Sequence, residues 1–155
     1  MAANSAEYTI RLGAAFSKCV DFGDLIILSG DLGGGKTTFV SGVAQGLGIK
    51  ESITSPSFTL INEYAVDSKR FVHADLYRLE GFEEVSGTGI QDYIDDDHSL
   101  VCIEWGDKLW PHLGKAYVHI FFYYVWDSPD RRTIVLKSNH AYWDQKLRNF
   151  AKIIH

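Results

Sequence analysis

Short apolar runs alternate along this chain with segments whose apolar residues fall on one helical face. Between Ser5 and Val20, the positions Leu12, Phe16, Cys19 and Val20 recur at helical spacing and predict an amphipathic helix. The residues before Ser5 read as a loose end, with any N-terminal edge strand absent or very short. Asp24-Leu-Ile-Ile-Leu-Ser29 has the continuous apolar character of a buried strand. Thr38 to Leu47 places Phe39, Val40, Val43, Ala44 and Leu47 on a helix that Gly46 and Gly48 close. Pro56 forces extended backbone at Ser55. Ser57 to Val66 and Arg70 to Tyr77 then read as two strands of a hairpin around the turn Asp67 to Lys69.

Leu79 to Ile94 is helical but interrupted by Ser86-Gly-Thr-Gly89, which predicts a mobile joint. Asp95 to Asp97 reads as a solvated turn. Leu100 to Ile103 is a second buried strand and runs into Glu104-Trp105. Tyr117 to Trp126 and Arg131 to Lys137 are strands around the turn Asp127 to Asp130. Ala141 to Ile154 sets Trp143, Leu147, Phe150, Ala151 and Ile154 on one face of a last helix. Alternating helices and apolar strands predict an α/β fold with a mixed, largely parallel sheet and an antiparallel strand pair at one side. The 155 residues suit a single nucleotide-binding domain over 1–155.

One segment gives that outline its chemistry. Gly30-Asp31-Leu32-Gly33-Gly34-Gly35-Lys36-Thr37 fits G-x-x-x-x-G-K-[ST] and lies between a predicted strand and a predicted helix. Glycines let successive backbone N–H groups face one point and hold an anion, and the helix adds the positive end of its dipole. The loop from Asp31 through Thr38 is therefore the candidate phosphate cradle. Lys36 supplies the charge for the outer phosphates, and Thr37 offers its hydroxyl to Mg²⁺. The context predicts a P-loop NTPase-like three-layer α/β/α arrangement.

Hydrolysis or transfer needs more than a cradle. Glu104 ends an apolar strand, where ligands of open α/β sheets gather, and is the candidate Mg²⁺ acid. Alternation puts Phe71, His73, Asp75 and Tyr77 on one side of their strand, a polar face suited to a cleft. Asp75 there is placed either to orient a water or to hold a Mg²⁺-bound water; a structural pair with His or Arg is the bland alternative. Trp105 either fills core or faces the nucleotide. Arg78 is open to phosphate, Asp75 or Glu80 as partner. The six histidines show no zinc-ligand spacing, and no Asn-Lys-x-Asp guanine-selecting segment is present, which favours ATP.

Composition narrows the partners. Net charge is −5 with no basic stripe, so DNA is not expected and RNA would be held by another protein. Cys19 and Cys102 sit far apart in apolar surroundings, as in a reducing compartment. Met1 to Ile10 holds no leader-like apolar stretch, and the dense run Ile120 to Trp126 is too short to cross a bilayer. The expectation is a cytoplasmic protein without membrane contact.

Three more segments stand in order around the loop: Ser55-Pro-Ser-Phe-Thr-Leu60, His73-Ala-Asp-Leu-Tyr-Arg-Leu79 and Ile103-Glu-Trp105. Together with Gly30 to Thr38, and with Gly89 to Ile94, they resemble the TsaE family of small bacterial P-loop ATPases over roughly Glu7 to Ile120. The resemblance implies ATP hydrolysis with Mg²⁺ on a TsaB–TsaD pair that makes threonylcarbamoyladenosine beside the tRNA anticodon. It implies that Lys36 and Thr37 hold phosphate and Mg²⁺, that Glu104 completes the Mg²⁺ shell, and that Asp75 and Trp105 serve activity. It also implies a γ-phosphate-sensitive loop at Ser55 to Thr59. Slow turnover alone and stimulation by the partner are expected, through a surface at Ser55–Thr59 and Gly81–Gly89. The family commonly carries Thr at Ser57 and Ala at Gly34, both mild departures. The alternatives are a small P-loop kinase for a small-molecule acceptor, and a binding module in which ATP only selects a conformation.

Overall fold

A computed structural model describes residues 1–155. The sheet has seven strands: β1 (Ala2–Ala3), β2 (Leu25–Gly30), β3 (Ile61–Val66), β4 (Lys69–Asp75), β5 (Ser99–Glu104), β6 (Tyr117–Val125) and β7 (Ser128–Ser138). Their spatial order is β1-β7-β6-β2-β5-β4-β3. The four central strands, β6, β2, β5 and β4, run parallel. On one side β3 pairs antiparallel with β4; on the other β7 pairs antiparallel with β6, and β1 pairs antiparallel with β7 at the edge.

Period-two alternation in β2 divides the core. Ile26 and Leu28 face the helices α1 (Ala6–Phe16), α2 (Lys36–Gly46) and α5 (Tyr142–Ile154), with Val118, Ile120 and Phe122 beside them. Leu25 and Ile27 face the short helices α3 (Phe82–Ser86) and α4 (Ile90–Ile94) and the tight helical turn Gly106–His112, which contribute Val85, Ile90, Ile94 and Leu109. The result is the three-layer α/β/α arrangement that the sequence predicts.

Two glycines allow α1 and α2 to cross closely. A Cβ on Gly42 would stand 2.1 Å from the Ile10 carbonyl oxygen, and one on Gly13 would stand 2.2 Å from that of Phe39. Both obstacles are backbone, so neither can swing aside. Gly42→Ala is therefore expected to force the helices apart despite alanine's better helix propensity, at a cost of about 2–3 kcal/mol. A thermal melt checks this: a drop of roughly 5–10 °C is the expected result, and an unchanged midpoint contradicts the packing.

Several element boundaries differ from the sequence reading. The amino terminus is pinned rather than loose: β1 pairs with β7, Ala3 is fully buried, and the Met1 amine donates to the Ile134 carbonyl. β3 begins at Ile61 and not Ser57, because Leu60 adopts a left-handed φ of 65° and its N–H closes a turn onto Pro56. β4 ends at Asp75, leaving Tyr77 half exposed outside the sheet. In the β6/β7 hairpin the turn is tighter than expected. Val125 pairs with Ser128 and Tyr124 with Arg132, so Pro129 to Arg131 form a bulge inside β7. In α5, Trp143 and Phe150 pack on Phe16, stacked at 6.4 Å and edge-on at 5.1 Å, while Ala151 faces outward. No helix is long and apolar enough to cross a membrane.

Candidate nucleotide site

The site forms where β2, β4 and β5 end together. Register puts Leu28 beside Glu104 and Asp75 beside Glu104, so both acids sit at carboxyl ends of adjacent parallel strands. β2 delivers the chain into the glycine loop, and α2 leaves from it. Gly33 and Gly35 take left-handed φ values of 74° and 102°, which a side chain would strain. The Gly34 N–H donates to the Asp31 carbonyl at 2.9 Å and closes the loop. Tyr124 ties the loop from outside, its hydroxyl donating to the Leu32 carbonyl at 2.8 Å.

Lys36 opens α2 and is 4 % exposed. Its Nζ donates to the carbonyls of Gly30 and Asp31 at 2.7 and 2.8 Å and lies 4.3 Å from the centre of the Trp105 ring. Burial pushes its pKa below the ordinary lysine value, against the opposing pull of Glu104, Asp75, Asp31 and Asp107.

Thr37 and Glu104 meet across the cleft. The Thr37 hydroxyl donates to Glu104 Oε1 at 2.7 Å, and His73 Nε2 lies 2.9 Å from the same oxygen. Glu104 is 3 % exposed, and its buried carboxylate is held by donors rather than left unpaired. Asp75 accepts from the Tyr77 N–H at 3.0 Å through Oδ1 and from the Ser55 hydroxyl through Oδ2. It pairs with neither His73 nor an arginine. Ser55 therefore links the Ser55–Thr59 loop directly to an acid of the site. Trp105 takes a left-handed φ of 59°, rare for so large a residue, and its N–H is held by the Leu28 carbonyl. Its ring lies 5.0 Å from that of Tyr77, and both line the cleft.

The cleft is lined by Leu32 to Thr38, Ser55, Ser57, Asp75, Tyr77, Glu104 and Trp105, so the predicted residues come together with one shift of position. Asp31 contributes its backbone to the loop rather than a wall of this cleft. Arg78 does not join it; its guanidinium packs 4.5 Å over Phe58, which is 86 % exposed. A second cleft opens on the other side of the loop, between Asn4, Ser5, Thr9, Asp130 and Arg132, and shares Gly33, Gly35 and Thr38 with the first. This wall lies outside the residues that the sequence singles out. Its residues come from the pinned amino terminus and from the β7 bulge, neither of which carries a local motif.

The donor set suits a hard cation. A threonine hydroxyl that donates its hydrogen still has lone pairs to offer, and Glu104 keeps Oε2 outside both of the bonds described. Mg²⁺ characteristically takes one or two protein oxygens and completes its shell with phosphate and water.

Sheet order, glycine loop and flanking helices define a P-loop NTPase-like α/β protein. Over its full length the chain is similar to the crystal structure of Bacillus subtilis YdiB, with a TM-score of 0.83, 25% identity and 95% of that chain covered. The family model for "Threonylcarbamoyl adenosine biosynthesis protein TsaE" matches residues 3–133. The tRNA threonylcarbamoyladenosine biosynthesis protein TsaE of Nostoc sp. (strain PCC 7120) is 40% identical over 121 residues, 76% of this chain and 74% of that one. The Treponema pallidum protein of the same name is 39% identical over 116 residues, 75% of this chain and 84% of that one. The chain belongs to the TsaE family, and with it to threonylcarbamoyladenosine biosynthesis.

Proposed function

We propose that this protein binds ATP with Mg²⁺, hydrolyses it, and in doing so serves a TsaB–TsaD-like complex that makes threonylcarbamoyladenosine in tRNA. The observation that carries the reading is the Thr37–Glu104 hydrogen bond of 2.7 Å, placed beside Lys36 and Asp75 in one cleft. In this reading the loop N–H groups and Lys36 hold the phosphates, and the cleft of Asn4, Ser5, Thr9 and Arg132 receives the nucleoside. Thr37 and Glu104 hold Mg²⁺, which when bound offsets charge on the phosphate oxygens. Asp75 orients the attacking water, and Trp105 walls the cleft beside Lys36. Residues 1–155 act as one nucleotide-binding unit, in the cytoplasm where tRNA is modified. With a net charge of −5, the protein meets tRNA through its partners and has no role on DNA.

The kinase alternative gains nothing from the structure. Arg131 and Arg132 belong to β7 rather than to a lid helix, and Arg132 packs 4.2 Å over Tyr124.

The partner binds the surface of Ser55–Thr59 and Gly81–Gly89. The Ser55–Asp75 hydrogen bond gives that surface a route to sense the γ-phosphate. Capture of the purified TsaB–TsaD-like pair by the immobilised protein tests this. The expected result is an affinity that differs about tenfold or more between Mg²⁺–ATP and Mg²⁺–ADP. Equal affinity in the two states contradicts it.

A further inference from the structure

His73 is the residue behind Glu104. It lies on β4, one strand away from Glu104, and is fully buried. A carboxylate oxygen only accepts, so the 2.9 Å contact to Oε1 makes Nε2 the donor and places the hydrogen there. The other ring nitrogen, Nδ1, is buried without a hydrogen-bond partner. Its strand neighbours on the opposite face, Val72 and Ala74, are plain core. An imidazole with an orphaned nitrogen is a poor way to fill such a place, since a buried polar atom without a partner costs stability. Local costs of this kind concentrate where a side chain has a task besides packing.

We infer that His73 is a positioning residue for Glu104: from the rigid sheet it fixes the carboxylate by Oε1, so that Oε2 is presented to the cation held with Thr37. The inference rests on the reading of Glu104 as a Mg²⁺ ligand. Thr37 alone is a weaker anchor, because it sits on the first turn of α2 and also serves the cation itself. The sheet-borne donor holds the acid whatever the phosphate loop does. Groups that orient a ligating side chain set metal affinity by about 10–100-fold, although they never touch the metal.

The test separates cation binding from nucleotide binding. ADP affinity is measured by calorimetry in EDTA, and Mg²⁺ and Mn²⁺ affinities are then measured on the ADP complex. His73→Leu is expected to weaken cation affinity by about 10–100-fold, with ADP affinity in EDTA held within about twofold. His73→Gln, whose amide reaches the same place, is expected to recover most of the loss. His73→Asn, which is too short, is expected not to. A lower melting temperature with unchanged cation affinity assigns His73 to stability alone and overturns the inference. If the wild-type protein shows no cation-dependent nucleotide binding, the Mg²⁺ reading of Glu104 falls instead. Should the variants fail to fold, ¹⁵N spectra of the wild-type imidazole decide. Hydrogen on Nε2 is the required state, and an Nε2 without hydrogen overturns the inference.

Discussion

Lys36→Ala is expected to abolish useful ATP binding while leaving the fold intact. The ammonium already satisfies two carbonyl oxygens at 2.7 and 2.8 Å, so its donors converge within the glycine loop. Each charge-assisted hydrogen bond to phosphate contributes about 2 kcal/mol, and two of them amount to roughly a thousandfold in affinity. The helix that carries Lys36 remains anchored by Phe39, Val40 and Val43, all fully buried, so the melting temperature is expected to change little. Titration with ATP reads the effect directly, and tight binding by the variant contradicts the phosphate-cradle assignment. A pH dependence of binding is expected from the same group in the wild-type protein. Burial lowers the Lys36 pKa, so the charged form persists below that lowered value and is lost as pH rises through it. ATP affinity is therefore expected to decline at a lower pH than an exposed lysine would give.

The second large effect is on turnover. Glu104→Ala is expected to lower Mg²⁺-dependent hydrolysis by about 10²–10³-fold, because losing a metal-held charge in a buried site removes roughly 3–4 kcal/mol of transition-state stabilisation. ATP binding without the cation is expected to survive. The alanine variant also leaves Thr37 and His73 without their shared acceptor. Glu104→Gln keeps the shape and one acceptor oxygen, and separates the loss of charge from the loss of packing. Phosphate release at saturating ATP measures both, and wild-type rates in either variant contradict the Mg²⁺ assignment.

Much of this site is legible in the sequence because it is built from contiguous segments. The glycine loop carries its own backbone requirement, and Leu100 to Ile103 announce a strand whose end presents Glu104. Alternation along Phe71 to Asp75 places His73 and Asp75 on one face, and the structure keeps them there. What the sequence leaves unread depends on contacts between distant segments. The strand expected from Ser57 fails because the tertiary fit sets Leu60 left-handed and ties Ser55 to Asp75. The close crossing of α1 and α2 at Gly13 and Gly42 has no signal in either helix alone, where each glycine reads as a propensity penalty. The second cleft beside the glycine loop joins the amino terminus to a bulge at Pro129–Arg131, and the tie from Tyr124 to Leu32 spans 92 residues. Position and charge in the sequence point Arg78 to phosphate or an acid, yet its guanidinium lies over one face of the exposed Phe58 ring, because an aromatic face also attracts a guanidinium.

Hydrolysis of ATP in the service of a partner complex is what we propose for this cleft. The most direct measurement is phosphate release with Mg²⁺ and ATP by the protein alone, and then with the purified TsaB–TsaD-like pair added. Slow release alone, strong stimulation by the pair, and loss of that stimulation in Glu104→Ala are the predicted results. Release that the pair leaves unchanged, but that a small-molecule acceptor converts into phosphoryl transfer, contradicts a role as partner-driven ATPase and makes the protein a kinase.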